Sequence, residues 1–247
     1  MRFAVISDIH EDAENLQLAM KHIVKSDVDE IICLGDVVGF EKSYYKFNDT
    51  RSAKRCLEIL NHHSVHILAG NHELNQANRL PFFNKDIGFP DDWYSIPLKD
   101  KIHRYEHLFF LYMNEEPSDL NKKEIQQLKN LKSWQIFNTN PYCILFSHFI
   151  YPDINGNSMS FYNHKKNFQT HFNWMKLSDV RFSFVGHLHL NGIGILRKER
   201  LRLKKFGLYS LSTDLQIIFC PAIARGRSTS GYVIFDTDDL EVEAVKL

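Results

Sequence analysis

Five short polar blocks, each set directly behind an apolar run with the character of a strand, constrain this chain more than any other feature. They are Ser7-Asp8-Ile9-His10, Gly35-Asp36-Val37-Val38-Gly39, Gly70-Asn71-His72-Glu73, Ser147-His148-Phe149 and Gly186-His187-Leu188-His189. Strand ends that face one edge of a parallel sheet converge in space although they lie far apart in sequence. The blocks carry carboxylates, a carboxamide and imidazoles but no thiolate, a set that suits borderline divalent ions and not a closed structural zinc site. Singly, each block has an ordinary reading, because Asp is a common helix N-cap and Gly-Asp is turn chemistry. Gly-His-X-His is sharper, since alternate residues of an extended segment point the same way. All five, in order and each at a strand end, read as a two-metal hydrolytic site.

The elements between the blocks supply the topology. Residues 2–6 and 30–34 are apolar runs, and Asp12 to Lys25 between them carries Leu16, Ala19, Met20, Ile23 and Val24 at helical spacing. Arg51 to His62 repeats that pattern before a third strand at 65–68. Right-handed crossovers between parallel strands then bring Asp8, Asp36 and Asn71 to one sheet edge. Gln76 to Lys101, with Pro81, Pro90 and Pro97, reads as loops and short helices covering the site. Ile102 to Met113 reads as a hairpin turning at Glu106-His107, and Ser118 to Leu131 as a capped helix. Tyr142 to Phe146 and Phe182 to Val185 are the strands that deliver the histidine blocks. Asn163 to Leu177 puts Phe168, His171, Phe172 and Met175 on one helical face, which is read as core. From Gly192 onward, strands at 193–196, 207–211, 215–219 and 231–235 close a second, mixed sheet.

The chain has 247 residues, 44% of them hydrophobic, enough for one domain over 1–247 with a sizeable core. Its formal net charge is zero, so no global field draws it to nucleic acid or to an anionic membrane. Apolar residues run straight into Asp8 with no leader core, and no stretch reaches membrane-spanning length, so a cytoplasmic location is expected. Cys33, Cys56, Cys143 and Cys220 lack Cys-X-X-Cys spacing and are read as reduced core residues.

The series resembles the calcineurin-like metallophosphoesterase superfamily, whose pattern is Asp-X-His, Gly-Asp, Gly-Asn-His-Asp/Glu, His and Gly-His-X-His. Residues 28–39 and the terminal Gly231-Tyr232-Val233-Ile234-Phe235-Asp236 resemble its small bacterial and archaeal phosphodiesterase branch. The resemblance implies an α/β fold, a four-layer α-β-β-α sandwich with two mixed sheets. It also implies a metal-dependent hydrolase that cleaves small or nucleotide-like phosphate esters, most of all diesters, through a dinuclear centre and a bridging hydroxide. Carried over by residue, Asp8, His10, Asp36 and His189 would hold the first metal, and Asp36, Asn71, His148 and His187 the second. The metals would be two divalent ions, manganese by family habit, with Fe, Ni, Co or Zn as alternatives. His72, beside a ligand but not itself one, would be the catalytic residue that protonates the leaving oxygen. Glu73 is read as structural, pairing with backbone at the turn.

Departures from the pattern bear on substrate. The protein phosphatases of the superfamily have an arginine before Gly-Asn-His-Glu and an acidic residue two positions past the Gly-Asp aspartate, where this chain has Ala69 and Val38. Without that fork for a dianionic monoester, a diester is favoured. Near the C-terminus Cys220-Pro221-Ala222-Ile223-Ala224-Arg225-Gly226-Arg227 replaces the branch's Asn-Pro-Gly-Ser, leaving Arg225 and Arg227 open between a phosphate contact and a solvated loop. The basic run 197–205 reads as an exposed strand or hairpin. Two alternatives stay open: a broad phosphomonoesterase, and a non-catalytic interaction scaffold on the same fold. A small phosphate ester is the expected partner.

Overall fold

The computed structural model describes residues 1–159 and 165–247. Strand β1 (Arg2–Ile6), helix α1 (Ala13–Ile23) and strand β2 (Glu30–Cys33) form the first β-α-β unit, and helix α2 (Ala53–His62) leads to β3 (His66–Ile67). Helix α1 starts where Asp12 caps it through the Asn15 N–H, and α2 where Ser52 caps it through that of Arg55. Both helices bury a stripe of Leu, Ile and Ala against the first sheet. After β3 come the short helices α3 (Asn71–Gln76) and α4 (Leu80–Phe83), then α5 (Leu98–Tyr105) and α6 (Lys122–Lys129). The second sheet begins with β4 (Trp134–Thr139) and β5 (Tyr142–Ser147), and helix α7 (Lys165–Leu177) precedes β6 (Phe182–Val185). The chain ends with β7 (Ile193–Arg197), β8 (Arg200–Lys204), β9 (Gly207–Ser210), β10 (Gln216–Phe219), β11 (Gly231–Asp236) and β12 (Glu241–Lys246).

Two six-stranded sheets result, in the orders β3-β2-β1-β11-β12-β9 and β4-β5-β6-β10-β7-β8. Phe3, Val5, Val233 and Phe235 of one sheet meet Phe146, Phe182, Phe184 and Ile218 of the other in a core between them. A second core lies under α1 and α2, and a third packs α7 on the outer face of the second sheet through Phe172, Met175 and Phe219. This is the expected α-β-β-α sandwich. The buried face of α7 is core as expected; Asn163 and His164 lie outside the described residues. All four cysteines are free, and three of them are buried. Among the described residues no helix is long and apolar enough to cross a membrane.

Three local expectations are corrected. Residues 102–113 do not form a hairpin: α5 occupies Leu98–Tyr105, because Leu98, Ile102 and Tyr105 fall at helical spacing and Asp100 and Arg104 suit the helix ends. Helix α6 begins at Lys122 and not near Ser118, since Asn121 and Glu124 form a capping box while the Ser118 hydroxyl donates to Glu11. The C-terminal strands are shared between sheets. β11 pairs antiparallel with β1 and carries β12 and β9 with it into the first sheet, while β7, β8 and β10 complete the second.

Candidate metal centre

The parallel pairs β1/β2 and β5/β6 end at the same rim, so the five blocks leave their strands side by side. The loops bend sharply there: Asp8, His10, Asp36, His187 and His189 all have positive φ between 45° and 68°. Such a conformation costs a non-glycine residue on the order of 1 kcal/mol or more and persists where the surroundings enforce it. Gly39, at φ 92°, is required by contact, because a Cβ there would run into the His72 ring.

Glu73 pairs with backbone at its own turn, as expected, and beyond that expectation it also holds the Asp36 loop. Its buried carboxylate accepts the N–H groups of Val37 (2.6 Å) and Val38 (3.1 Å) on Oε1, and those of Asp36 and Gly70 (both 2.8 Å) on Oε2. One side chain thereby ties the Asp36 loop to the start of α3. Burial and the nearby Asp36 push Glu73 up to about 7, against the pull of these donors.

Acceptor atoms converge in front of these loops. His10 gives its Nδ1–H to Gly39 O (2.8 Å), so its Nε2 lone pair faces His189 Nε2 at 3.2 Å. His148 gives Nδ1–H to Leu34 O (3.2 Å), which turns Nε2 toward Asp36 Oδ2 and His187 Nδ1, each 3.1 Å away. His189 Nε2 lies 3.2 Å from Asp8 Oδ1. The Asn71 amide sits with its oxygen against acceptors, 3.3 Å from Asp36 Oδ2 and 3.2 Å from His148 Nε2, and its nitrogen toward the Tyr112 hydroxyl. With the amide rotated, its nitrogen donates to Asp36 Oδ2, His148 Nε2 and Asn155 O and its oxygen accepts from the Tyr112 hydroxyl; the opposite rotation would offer the oxygen to a cation. Asp8, His10 and His189 form one compact group able to hold an ion and Asp36, His148 and His187 another, while His10, Asp36 and His72 form a third that shares residues with both. The donor set of carboxylates, imidazoles and a carboxamide fits divalent ions.

Without metal, protons take the cations' place. Burial opposes charge on His148, but Asp36 beside it carries its pKa up to about 9, while Asp36 itself is held well below the carboxylate range by His148 and His72. Burial pushes His10 and His187 down to about 3, with His72 and His148 respectively adding repulsion, so both stay neutral. A cation held at His148 Nε2 would displace its proton.

His72 stands at the edge of this cluster. Its backbone N–H donates to Asp36 Oδ1 (3.1 Å) and its Nδ1 lies 2.8 Å from Glu115 Oε2. Burial lowers its pKa, but Asp36 and Glu115 outweigh burial and bring it to about 10. Glu115 is fixed in turn by the amides of Gln76 (2.6 Å) and Asn75 (3.3 Å). Sequence reasoning missed Glu115, which lies in an irregular loop with no strand-end block to mark it; the same holds for Tyr112.

A cavity of about 620 Å³ opens on the cluster. The segment that faces it is 106–115, with Phe110, Tyr112 and Met113, while Tyr44 and Met159 complete an apolar wall. Residues 76–101 form loops and short helices as expected, but instead of covering the site they pack a satellite core around Leu80, Phe89 and Trp93. The two open arginines separate. Arg225 is locked on Asp12 through Nε (2.8 Å) and Nη2 (2.7 Å), with Glu14 also at 2.9 Å, whereas Arg227 lies over the Tyr44 ring at the cavity rim.

The sequence profile of calcineurin-like phosphoesterases matches residues 1–191. The chain belongs to the calcineurin-like phosphoesterase family. As a member it is a phosphoesterase of a family that uses divalent metal ions. An uncharacterized protein of Methanocaldococcus jannaschii is 24% identical over 250 residues, covering 99% of this phosphoesterase and 86% of the relative. Among solved structures, a metallophosphoesterase of Sphaerobacter thermophilus shares the fold with a TM-score of 0.66 at 19% identity, over 100% of this chain and 88% of that one. A hypothetical protein of Pyrococcus horikoshii does so at 0.65 and 12%, over 100% and 87%.

Proposed function

We propose that this phosphoesterase is a dinuclear phosphodiesterase, with Asp8, His10, Asp36 and His189 holding one divalent ion and Asp36, Asn71, His148 and His187 the second. The observation that carries the reading is the convergence of Asp8, His10 and His189 and of Asp36, His148 and His187 into compact ligand groups, with the Asn71 amide beside Asp36. Bound divalent ions supply Lewis acidity to the phosphoryl oxygens and acidify water at neutral pH. Manganese is the proposed ion by family habit.

The residues around the ions set what is cleaved. Glu115 occupies Nδ1 of His72, which leaves Nε2 as the ring nitrogen able to give a proton to a departing oxygen. Among the described residues the cavity is lined by Glu41, Glu106 and Glu115 and by no lysine or arginine. A monoester dianion would find no arginine fork in the cavity lining, whereas a diester presents one charge fewer and depends less on one, and Tyr44, Phe110, Tyr112 and Met159 offer apolar surface to its organic group. The complete ligand set and an oriented His72 support an enzyme over an interaction scaffold.

The test is turnover of bis-aryl and mono-aryl phosphates in parallel by metal-stripped protein, before and after Mn²⁺ is restored. Metal-dependent cleavage favouring the diester is the expected result. Preference for the monoester would overturn the diester reading, and undiminished turnover with metal verified absent would overturn the metal mechanism.

A further inference from the structure

Strand β8 is inside out. In its neighbour β7, Ile193 and Ile195 turn to the core between the sheets, and Leu196 joins the core beneath α7. The antiparallel register sets Lys204 opposite Ile193, Arg202 opposite Ile195 and Arg200 opposite Arg197. Directly opposed residues share a face, so the cations of β8 lie on the inter-sheet side. Leu201 and Leu203 are left on the outer face, 43% and 67% exposed. A strand whose role is only to close a sandwich has the opposite alternation.

The inverted strand borders a cleft of about 520 Å³ between the edges of the two sheets, where β8 ends one and β9 the other. Arg197, Arg200, Arg202 and Lys204 line one side, and Tyr209 and Ser212 line the other. Arg197 is compensated, bonding Ser212 Oγ at 2.9 Å and sharing Asp214 with Lys198. Among the described residues Arg200 and Arg202 have no carboxylate partner, and Lys204 reaches only the Tyr209 ring, 5.5 Å from its centroid. None of these residues lines the metal cavity, whose wall carries the opposite charge.

We propose that this cleft is a second ligand site, for a phosphorylated small molecule of nucleotide size carrying at least two negative charges. Guanidinium forks match phosphoryl oxygens, and uncompensated cations directed into a cleft lower their energy when such an anion enters. Arg200 and Arg202, two residues apart on an extended strand, stand roughly 6.8 Å from each other along it, which spreads the charge over a ligand and not onto one oxygen. The cleft has the size of a small-molecule pocket, and the zero formal net charge of the chain supplies no global field toward a nucleic acid.

The test uses the full chain, metal-stripped and kept in chelator so that the metal centre cannot bind phosphate, titrated calorimetrically with ATP, inorganic triphosphate and a twelve-residue oligothymidylate. The variant is R200Q/R202Q/K204Q, whose positions are all exposed, with its melting curve compared to the parent's; K21Q/K25Q/K54Q removes equal charge elsewhere. Saturable one-to-one binding of ATP or triphosphate, weakened at least about tenfold by the β8 variant and unchanged in the control, is the expected result. Three outcomes would each overturn the site: no saturable binding of either probe, equal loss in both variants, or loss of the native fold in the β8 variant. Binding of the oligonucleotide alone would replace the small ligand with a nucleic acid and likewise overturn it.

Discussion

Glu73→Gln tests whether one buried carboxylate holds the metal loops in place. The substitution keeps the shape of the side chain but turns one acceptor oxygen into a donor. Whichever oxygen is lost, two backbone N–H groups among those of Asp36, Val37, Val38 and Gly70 then face an NH₂ group in a buried site. An unsatisfied buried donor costs about 1–3 kcal/mol, so the pair costs about 2–6 kcal/mol. In a chain of 247 residues each kcal/mol lowers Tm by about 2–4 °C, which gives a fall of about 4–24 °C in the metal-free protein. Metal content should fall as well, because either pair of released N–H groups includes one from the loop that carries Asp36. The matched control is Glu124→Gln, which disturbs the same kind of box at the exposed start of α6, where water can take over the Asn121 N–H. Scanning calorimetry of the three metal-stripped proteins, with elemental analysis after reloading, decides the matter. If Glu73→Gln melts with the parent and binds the same metal, Glu73 is protonated in the native chain and the tying role assigned to it is wrong.

Asp36→Asn should reduce both metal equivalents together, since Asp36 stands between the two ligand groups; two fully occupied sites by elemental analysis would refute the bridge. His72→Ala should keep metal content while lowering kcat by roughly 10²-fold or more, and by less for a nitrophenolate than for an alkoxide leaving group. Equal losses for the two leaving groups would remove the general-acid role. His171 is buried with Nδ1 accepting from Tyr151 N–H (2.9 Å) and Nε2 donating to Ser183 Oγ (3.0 Å), and burial depresses its pKa from 6.5 to about 3. Its folded pKa lies below the unfolded one, so its contribution is complete above pH 6.5 and is lost as pH falls from there toward 3. Between pH 6.5 and 4.5 the parent should lose about 2–3 kcal/mol more than His171→Gln, measured by urea unfolding at each pH. Parallel pH profiles for the two proteins would show that His171 is not held neutral.

The sequence by itself determined which candidate ligand residues reach the sheet edge and in what order, because a loop that leaves a strand carries its residues to that edge wherever the strand sits. Asp8, Asp36, Asn71, His148 and the His187/His189 pair were legible for that reason, as were the helices whose apolar stripes repeat at helical spacing. The pairing of Glu73 with its own turn was legible too, whereas its hold on the Gly-Asp loop, 35 to 37 residues earlier, came only from the tertiary structure. Tertiary structure alone decided which sheet received β9, β11 and β12, as every apolar strand in the C-terminal half suits either sheet and only pairing with β1 distinguishes them. It alone placed Glu115 on His72, through a loop 43 residues further on, and gave Arg225 to Asp12 while leaving Arg227 at the rim. It also turned the basic run into a cleft: alternation of Arg and Leu states that β8 has two faces, but only its register against β7 states which face looks inward.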